Sequence, residues 1–166
     1  MRYMEEMKRV NQILVHPRFQ IYKEEIKKWE EERPYCGHDV SHLLDVARIA
    51  CILSLEEECE VSKEFIYTAA LLHDIGRPEQ YAHGTPHQQA SVKIAAGILK
   101  DCGYDEEENA AVLSAVGNHR DAARASQTPL DWLIYRADKL SRGCYVCEVE
   151  EICDWAAAKK NQVLTY

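Results

Sequence analysis

Apolar residues recur along this chain every three or four positions, the spacing that gathers them on one side of an α-helix. No stretch alternates with the period of two expected of a half-buried strand. Residues 4–15 and 18–32 read as two amphipathic helices divided by His16-Pro17, and Pro34-Tyr35-Cys36-Gly37 breaks the pattern. A long helix is expected over about 39–58, with Leu43, Val46, Ala47, Ala50 and Leu53 on one stripe. Another is expected over about 62–75, stopped by Gly76 with Pro78 just beyond. Thr85-Pro86-His87-Gln88 and Thr128-Pro129-Leu130-Asp131 each offer a threonine cap followed by proline in the first turn. Between them, Asp105–Glu108 puts acids at the positive end of a helix that finishes near Asn118. No internal repeat, low-complexity tract or linker interrupts this pattern. The expectation is a single all-α domain over residues 1–166.

Composition narrows the function. With 46% hydrophobic and 29% charged residues the chain can bury a core. No apolar run approaches the roughly 20 residues of a membrane span, and the N-terminal residues lack the unbroken apolar stretch of a signal peptide. A cytoplasmic location is expected. The formal charge is −8, with acids clustered at Glu56–Glu58, Asp105–Glu108 and Glu148–Glu151. Such a surface repels phosphate backbones and disfavours broad nucleic-acid binding, although a bound cation can reverse the field locally for a small anion.

Seven cysteines, an odd number without an export signal, do not suggest disulfides. Cys51, Cys59 and Cys102 read as ordinary thiols. Cys144-x-x-Cys147, Cys153 and Cys36 beside Gly37 are candidates for a structural zinc or iron–sulfur site. A lone C-x-x-C pair is a weak signal, and a set of small packed thiols is the favoured reading.

Candidate chemistry lies with the histidines. His73-Asp74 ends the apolar run Ala69-Ala70-Leu71-Leu72, where two polar side chains are costly to bury without strong partners. A divalent cation is such a partner for imidazole and carboxylate, and the negative helix end favours it. Alone, the pair is better read as a core histidine beside an ion-paired aspartate. His42 and Asp138, each a polar step within an apolar helix, change that balance, because helical bundles build metal sites from facing side chains. His87, in a first helical turn, and His119, at a helix end, are further candidates; capping and surface roles are their bland alternatives.

The order of His42 in HLLDVARIA, His73-Asp74 in ALLHDIG and Asp138 in YRADK resembles the HD-domain superfamily of metal-dependent phosphohydrolases, over about residues 38–142. The resemblance implies an HD-type helical bundle in which His42, His73, Asp74 and Asp138 are metal ligands. It also implies a second site using His87 and His119. With Ile134-Tyr135-Arg136-Ala137-Asp138 and Arg142, the pattern is similar to bacterial HD-type hydrolases of diadenosine tetraphosphate, although Asn118-His119-Arg120-Asp121 departs from them. The implied cofactor is one or two divalent transition-metal ions: Fe, Mn, Co, Ni or Zn. Asp74 would ligate and take a proton from water, while Arg77, Arg142, Lys139 and Arg120 would neutralise phosphate oxygens. The expected partners are a small phosphorylated substrate of nucleotide type, no membrane, and a second copy of the chain in a homodimer. Competing readings are a nucleotide-sensing module without turnover and a di-iron redox protein on the same scaffold.

Overall fold

The computed structural model describes residues 7–166. The expected start of the first helix at residue 4 therefore lies outside the described residues. Helix α1 (Lys8–Val15) and α2 (Pro17–Glu30) are split where expected: Pro17 has no N–H to continue the ladder, and extended His16 accepts a hydrogen bond from the Arg18 amide through its ring. Asp39 caps α3 (Val40–Glu56) by accepting the His42 amide at 3.0 Å, which sets the angular position of His42. Ser62 caps α4 (Lys63–Leu72) in the same way.

Then come α5 (Arg77–His83), α6 (His87–Asp101), α7 (Glu106–Asn118), α8 (Ala122–Ala125) and α9 (Pro129–Leu140). A reciprocal capping box between Asp105 and Glu108 starts α7, and Thr128 caps α9. Single 3-10 turns carry the chain beyond residue 143. Among the described residues there is no strand, and no helix is long and apolar enough to cross a membrane.

Three details differ from the sequence expectation. Helix α4 ends at Leu72 rather than near 75, and His73–Gly76 forms a turn that leads straight into α5. The periodic pattern continues through a turn of this kind because its residues stay buried. Thr85 does not cap α6: Pro86 occupies the cap position with no side-chain hydrogen bond, and the helix begins at His87. Helix α8 is too short to leave a periodic signal.

The core forms where α3 packs on α4 and α9, α7 packs on α9, and α6 packs on α7. Leu53, Ile66, Leu71, Leu72, Ile98, Leu99, Leu133 and Ile134 are all within 1% of complete burial. Helix α4 is surrounded, which explains why Ala69–Leu72 is apolar on every side. Its C-terminal end therefore delivers His73 and Asp74 into the middle of the molecule. Gly76 is needed just after them. A Cβ there would lie 2.4 Å from the Ser91 nitrogen and 2.5 Å from the His87 carbonyl, so only glycine lets the turn press against the start of α6. The Gly76 amide donates to Ser91 Oγ at 2.8 Å, locking that contact.

Candidate metal centre

Six side chains from distant parts of the chain converge: His42 on α3, His73 and Asp74 after α4, His87 at the first position of α6, His119 after α7, and Asp138 on α9. They form two ligand groups, His42–His73–Asp74–Asp138 and Asp74–His87–His119. Asp74 belongs to both. Its Oδ2 lies 3.1 Å from His73 Nε2 and 3.5 Å from His42 Nε2, while Oδ1 lies 3.1 Å from His87 Nε2 and 3.7 Å from His119 Nε2. Asp138 Oδ1 closes the first group at 3.5 Å from His42 Nε2 and 3.6 Å from His73 Nε2.

The outward ring nitrogens explain why every Nε2 faces inward. His73 Nδ1 donates to the Ala70 carbonyl and His119 Nδ1 to the Val116 carbonyl, each at 2.7 Å. Both acceptors lie in the last turn of a helix, where carbonyls lack an intrahelical partner. His87 Nδ1 meets Gln80 Oε1 at 3.0 Å. His42 Nδ1 meets Ser141 Oγ at 3.3 Å, and that hydroxyl donates to the Asp138 carbonyl. All four rings are thus oriented with an Nε2 lone pair toward the centre, as metal-ligating histidines are.

The inner atoms lack partners within the protein. His73 Nε2, Asp74 Oδ2 and Asp138 Oδ1 are buried without a hydrogen bond, a costly arrangement unless a cation lies among them. His87 Nε2 and His119 Nε2 face each other at 3.0 Å, where two lone pairs repel unless a proton or cation intervenes. This donor set fits a first-row divalent ion and does not distinguish among Fe, Mn, Co, Ni and Zn.

Charge follows the same geometry. Burial disfavours an ionised Asp74, but His73, Arg77 and His38 hold its carboxyl well below the usual range. Asp138 is likewise held low against burial, by the neighbouring imidazoles of His42 and His73 and by the charge on Lys139. Burial would push His73 down, yet the two carboxylates raise it to about 10. Burial lowers His119 to about 3, reinforced by the charge on His73, and burial also lowers His87. Without metal, the proton on His73 stands where a cation would.

The two sites should consequently differ in pH dependence. Ligation at the first group must displace the His73 proton, so affinity should rise with pH up to about tenfold per unit, levelling near the raised pKa of about 10. His87 and His119 are already neutral at pH 7 and should add little slope there. Calorimetric titration with Mn²⁺ in buffers of different ionisation enthalpy measures the proton release. Pure pH independence of both sites would contradict this charge assignment.

The four candidate phosphate-binding cations are distributed unevenly. Arg77 Nε donates to Asp74 Oδ1 at 3.0 Å, and Nη1 to Gln80. Arg142 is buried, with Nη2 3.3 Å from His42 Nε2 and 3.6 Å from Asp138 Oδ1, and its Nε has no partner. Lys139 Nζ bridges Asp138 Oδ2 and the His119 carbonyl. Arg120 is exposed.

One histidine was missed. His38 is buried, and its Nε2 is 3.9 Å from Asp74 Oδ2. Glu30 holds it, accepting from both its amide and Nδ1, while Tyr81 and Arg33 complete the network around Glu30. The available signal was only a second histidine four residues before His42, ahead of the helix.

Cys36, Cys144, Cys147 and Cys153 join no metal-ligand group among the described residues, which corrects the four-thiolate possibility. Cys144 opens one 3-10 turn and Cys147 closes it, while Cys153 closes another and Cys36 is exposed. Cys144→Ser together with Cys147→Ser should leave metal content and turnover unchanged within about twofold, since substitutions away from the site are usually nearly neutral. Loss of bound metal from this variant, seen by elemental analysis, would reinstate a thiolate site.

A helical domain closed around one carboxylate shared by two imidazole clusters defines the class of protein. The HD domain family matches residues 39–143, and the chain belongs to that family. It is 42% identical over 160 residues to an uncharacterized protein of Clostridium beijerinckii, covering 96% of this chain and 100% of that one. It is 32% identical over 109 residues to Ribonuclease Y 1 of Pediococcus pentosaceus, a match that takes in 64% of this chain but only 18% of the longer protein. Its fold is similar to the crystal structure of a predicted HD superfamily hydrolase from an uncultured Thermotogales bacterium. That likeness has a TM-score of 0.64 and 25% sequence identity, and it covers 88% of this chain and 80% of the other.

Proposed function

We propose that this protein is a metal-dependent phosphohydrolase acting on a phosphoester or phosphoanhydride of a nucleotide-like molecule, with two metal sites joined by Asp74. The observation that carries this reading is the split of the Asp74 carboxylate, one oxygen toward His42 and His73 and the other toward His87 and His119. Divalent ions held by these ligands supply a clamp for phosphate oxygens and acidify water near neutral pH. A carboxylate held so far below its usual range is a weak proton acceptor, so Asp74 serves to join and orient the two ligand sets. His38, fixed by Glu30, turns its Nε2 toward the same space, where it can hydrogen-bond a substrate or water oxygen. Arg142, with a free buried Nε, and largely buried Arg77 are the arginines beside the ligand set and would meet phosphate charge.

The histidine order shared with bacterial diadenosine tetraphosphate hydrolases makes a phosphoanhydride between nucleoside units the first bond to test. A second reading, phosphodiester cleavage in RNA, is favoured by the likeness to Ribonuclease Y 1; the net charge of −8 weighs against long polyanions. The purified protein, loaded in turn with Mn²⁺, Co²⁺, Ni²⁺ or Fe²⁺, is screened against nucleotides, dinucleoside polyphosphates and short RNA. Release of phosphate or nucleotide is expected. Full metal loading without hydrolysis of any of these, or iron-dependent dioxygen consumption in its place, would overturn the proposal.

A further inference from the structure

Helix α9 carries more than Asp138. Its inner face buries Leu130, Leu133, Ile134 and Ala137, whereas Trp132, Tyr135, Arg136 and Lys139 form a half-buried stripe on the other side. Tyr135, Arg136 and Lys139 of this stripe form one wall of an open groove of about 580 Å³, lined also by Glu56 at the end of α3, Leu140, and Tyr166, while Trp132 lies behind Tyr135 outside the lining. The groove has a defined orientation toward the metal ligands. Lys139 Nζ lies 3.1 Å from Asp138 Oδ2 and 4.3 Å from the centre of the Tyr135 ring. One cation thus touches both a proposed metal ligand and the aromatic wall.

The wall is held in place. Trp132 and Tyr135 lie nearly parallel, 7° apart with ring centres separated by 5.4 Å. Arg136 pairs with Glu57 at 2.6 Å and sits over Trp132. The Asn161 side chain donates to the carbonyls of Lys139 and Arg142, tying the C-terminal segment to the end of α9, and the Tyr166 hydroxyl donates to Glu56. An aromatic and aliphatic lining with a carboxylate at its edge suits a flat heterocycle that carries N–H donors, and every nucleobase presents a π-face to such a wall.

We infer that this groove is the nucleobase subsite: the phosphate of a nucleotide lies at the metal ligands, Lys139 spans the junction, and the base packs against Tyr135, Leu140 and Tyr166. The inference rests on the phosphohydrolase reading for the position of the phosphate, but the base site stands on its own geometry.

The test compares binding of three probes, AMP, ribose 5-phosphate and adenosine, to the Mn²⁺-loaded full chain, by calorimetry. AMP should bind about tenfold or more tightly than ribose 5-phosphate, the difference one base–aromatic contact makes. Tyr135→Ala should erase that difference without changing the affinity for ribose 5-phosphate, and Tyr135→Phe should preserve it. The Phe variant also controls for folding. Equal binding of AMP and ribose 5-phosphate by the parent would overturn the base site while leaving the phosphate site intact. Adenosine binding that depends on Tyr135, with no affinity for ribose 5-phosphate, would support the groove and count against the phosphohydrolase reading. Absence of binding by all three probes would overturn both.

Discussion

Replacing Asp74 with alanine is expected to remove both metal ions and to lower hydrolysis at least about 1,000-fold, the equivalent of several kcal/mol of lost charge stabilisation. Among the described residues only Asp74 belongs to both ligand groups, so neither group can compensate for its loss. The protein should remain helical, because the core of α3, α4, α7 and α9 is apolar and continuous without the site. Its stability will nonetheless change. Asp74 is 1% exposed, and its loss leaves His73 and Arg77 without their main counter-charge; breaking a buried pair of this kind costs roughly 3–5 kcal/mol. Elemental analysis, circular dichroism and turnover together make the measurement. Normal turnover by a well-folded Asp74→Ala protein would sink the assignment of Asp74 to the site.

The second large effect separates one-metal from two-metal chemistry. A metal-replete parent should hold two ions per chain, and the double variant His87→Ala with His119→Ala should hold one. His42, His73, Asp74 and Asp138 meet without either replaced residue, so the first ion stays. Activity should fall on the order of 100- to 1,000-fold, since the phosphate loses one side of its clamp. The variant also removes the 3.0 Å contact between two imidazole nitrogens, an arrangement with no packing rationale. A parent with one ion per chain, and a double variant with unchanged turnover, would leave a mononuclear hydrolase.

Much of this architecture can be read from local pattern. The apolar stripe of α3 lies where the spacing predicts, because helical periodicity depends only on residues three and four apart. The caps at Asp39, Ser62, Asp105 and Thr128 are likewise local, each a side chain bonded to an amide three residues on. The candidate ligands were also legible in sequence: His42, His73, Asp74 and Asp138 as polar residues within or ending apolar helices, His87 and His119 only through the family resemblance. His87 and His119 are both fully buried with their Nε2 atoms inward, which removes the surface alternative, while the Nδ1 of His119 also caps the end of α7.

Tertiary packing decided the rest. Which oxygen of Asp74 serves which cluster depends on where α3, α6 and α7 place their rings around it, and no local pattern encodes that. The tautomers depend on carbonyls, on Gln80 and on Ser141, groups whose identity does not announce such a task. His38 precedes α3 and shows no periodic signal; only the approach of Glu30 from α2 turns its ring toward Asp74. The cysteine spacing left open, as the less favoured reading, a ligand set that the described residues do not bring together. The groove beside Asp138 exists only because the C-terminal segment returns along α9. Sequence alone determined that this is a helical protein and named six candidate ligands; packing between distant segments decided that one carboxylate faces both clusters, because ligand geometry is set by helices meeting in space rather than by neighbours along the chain.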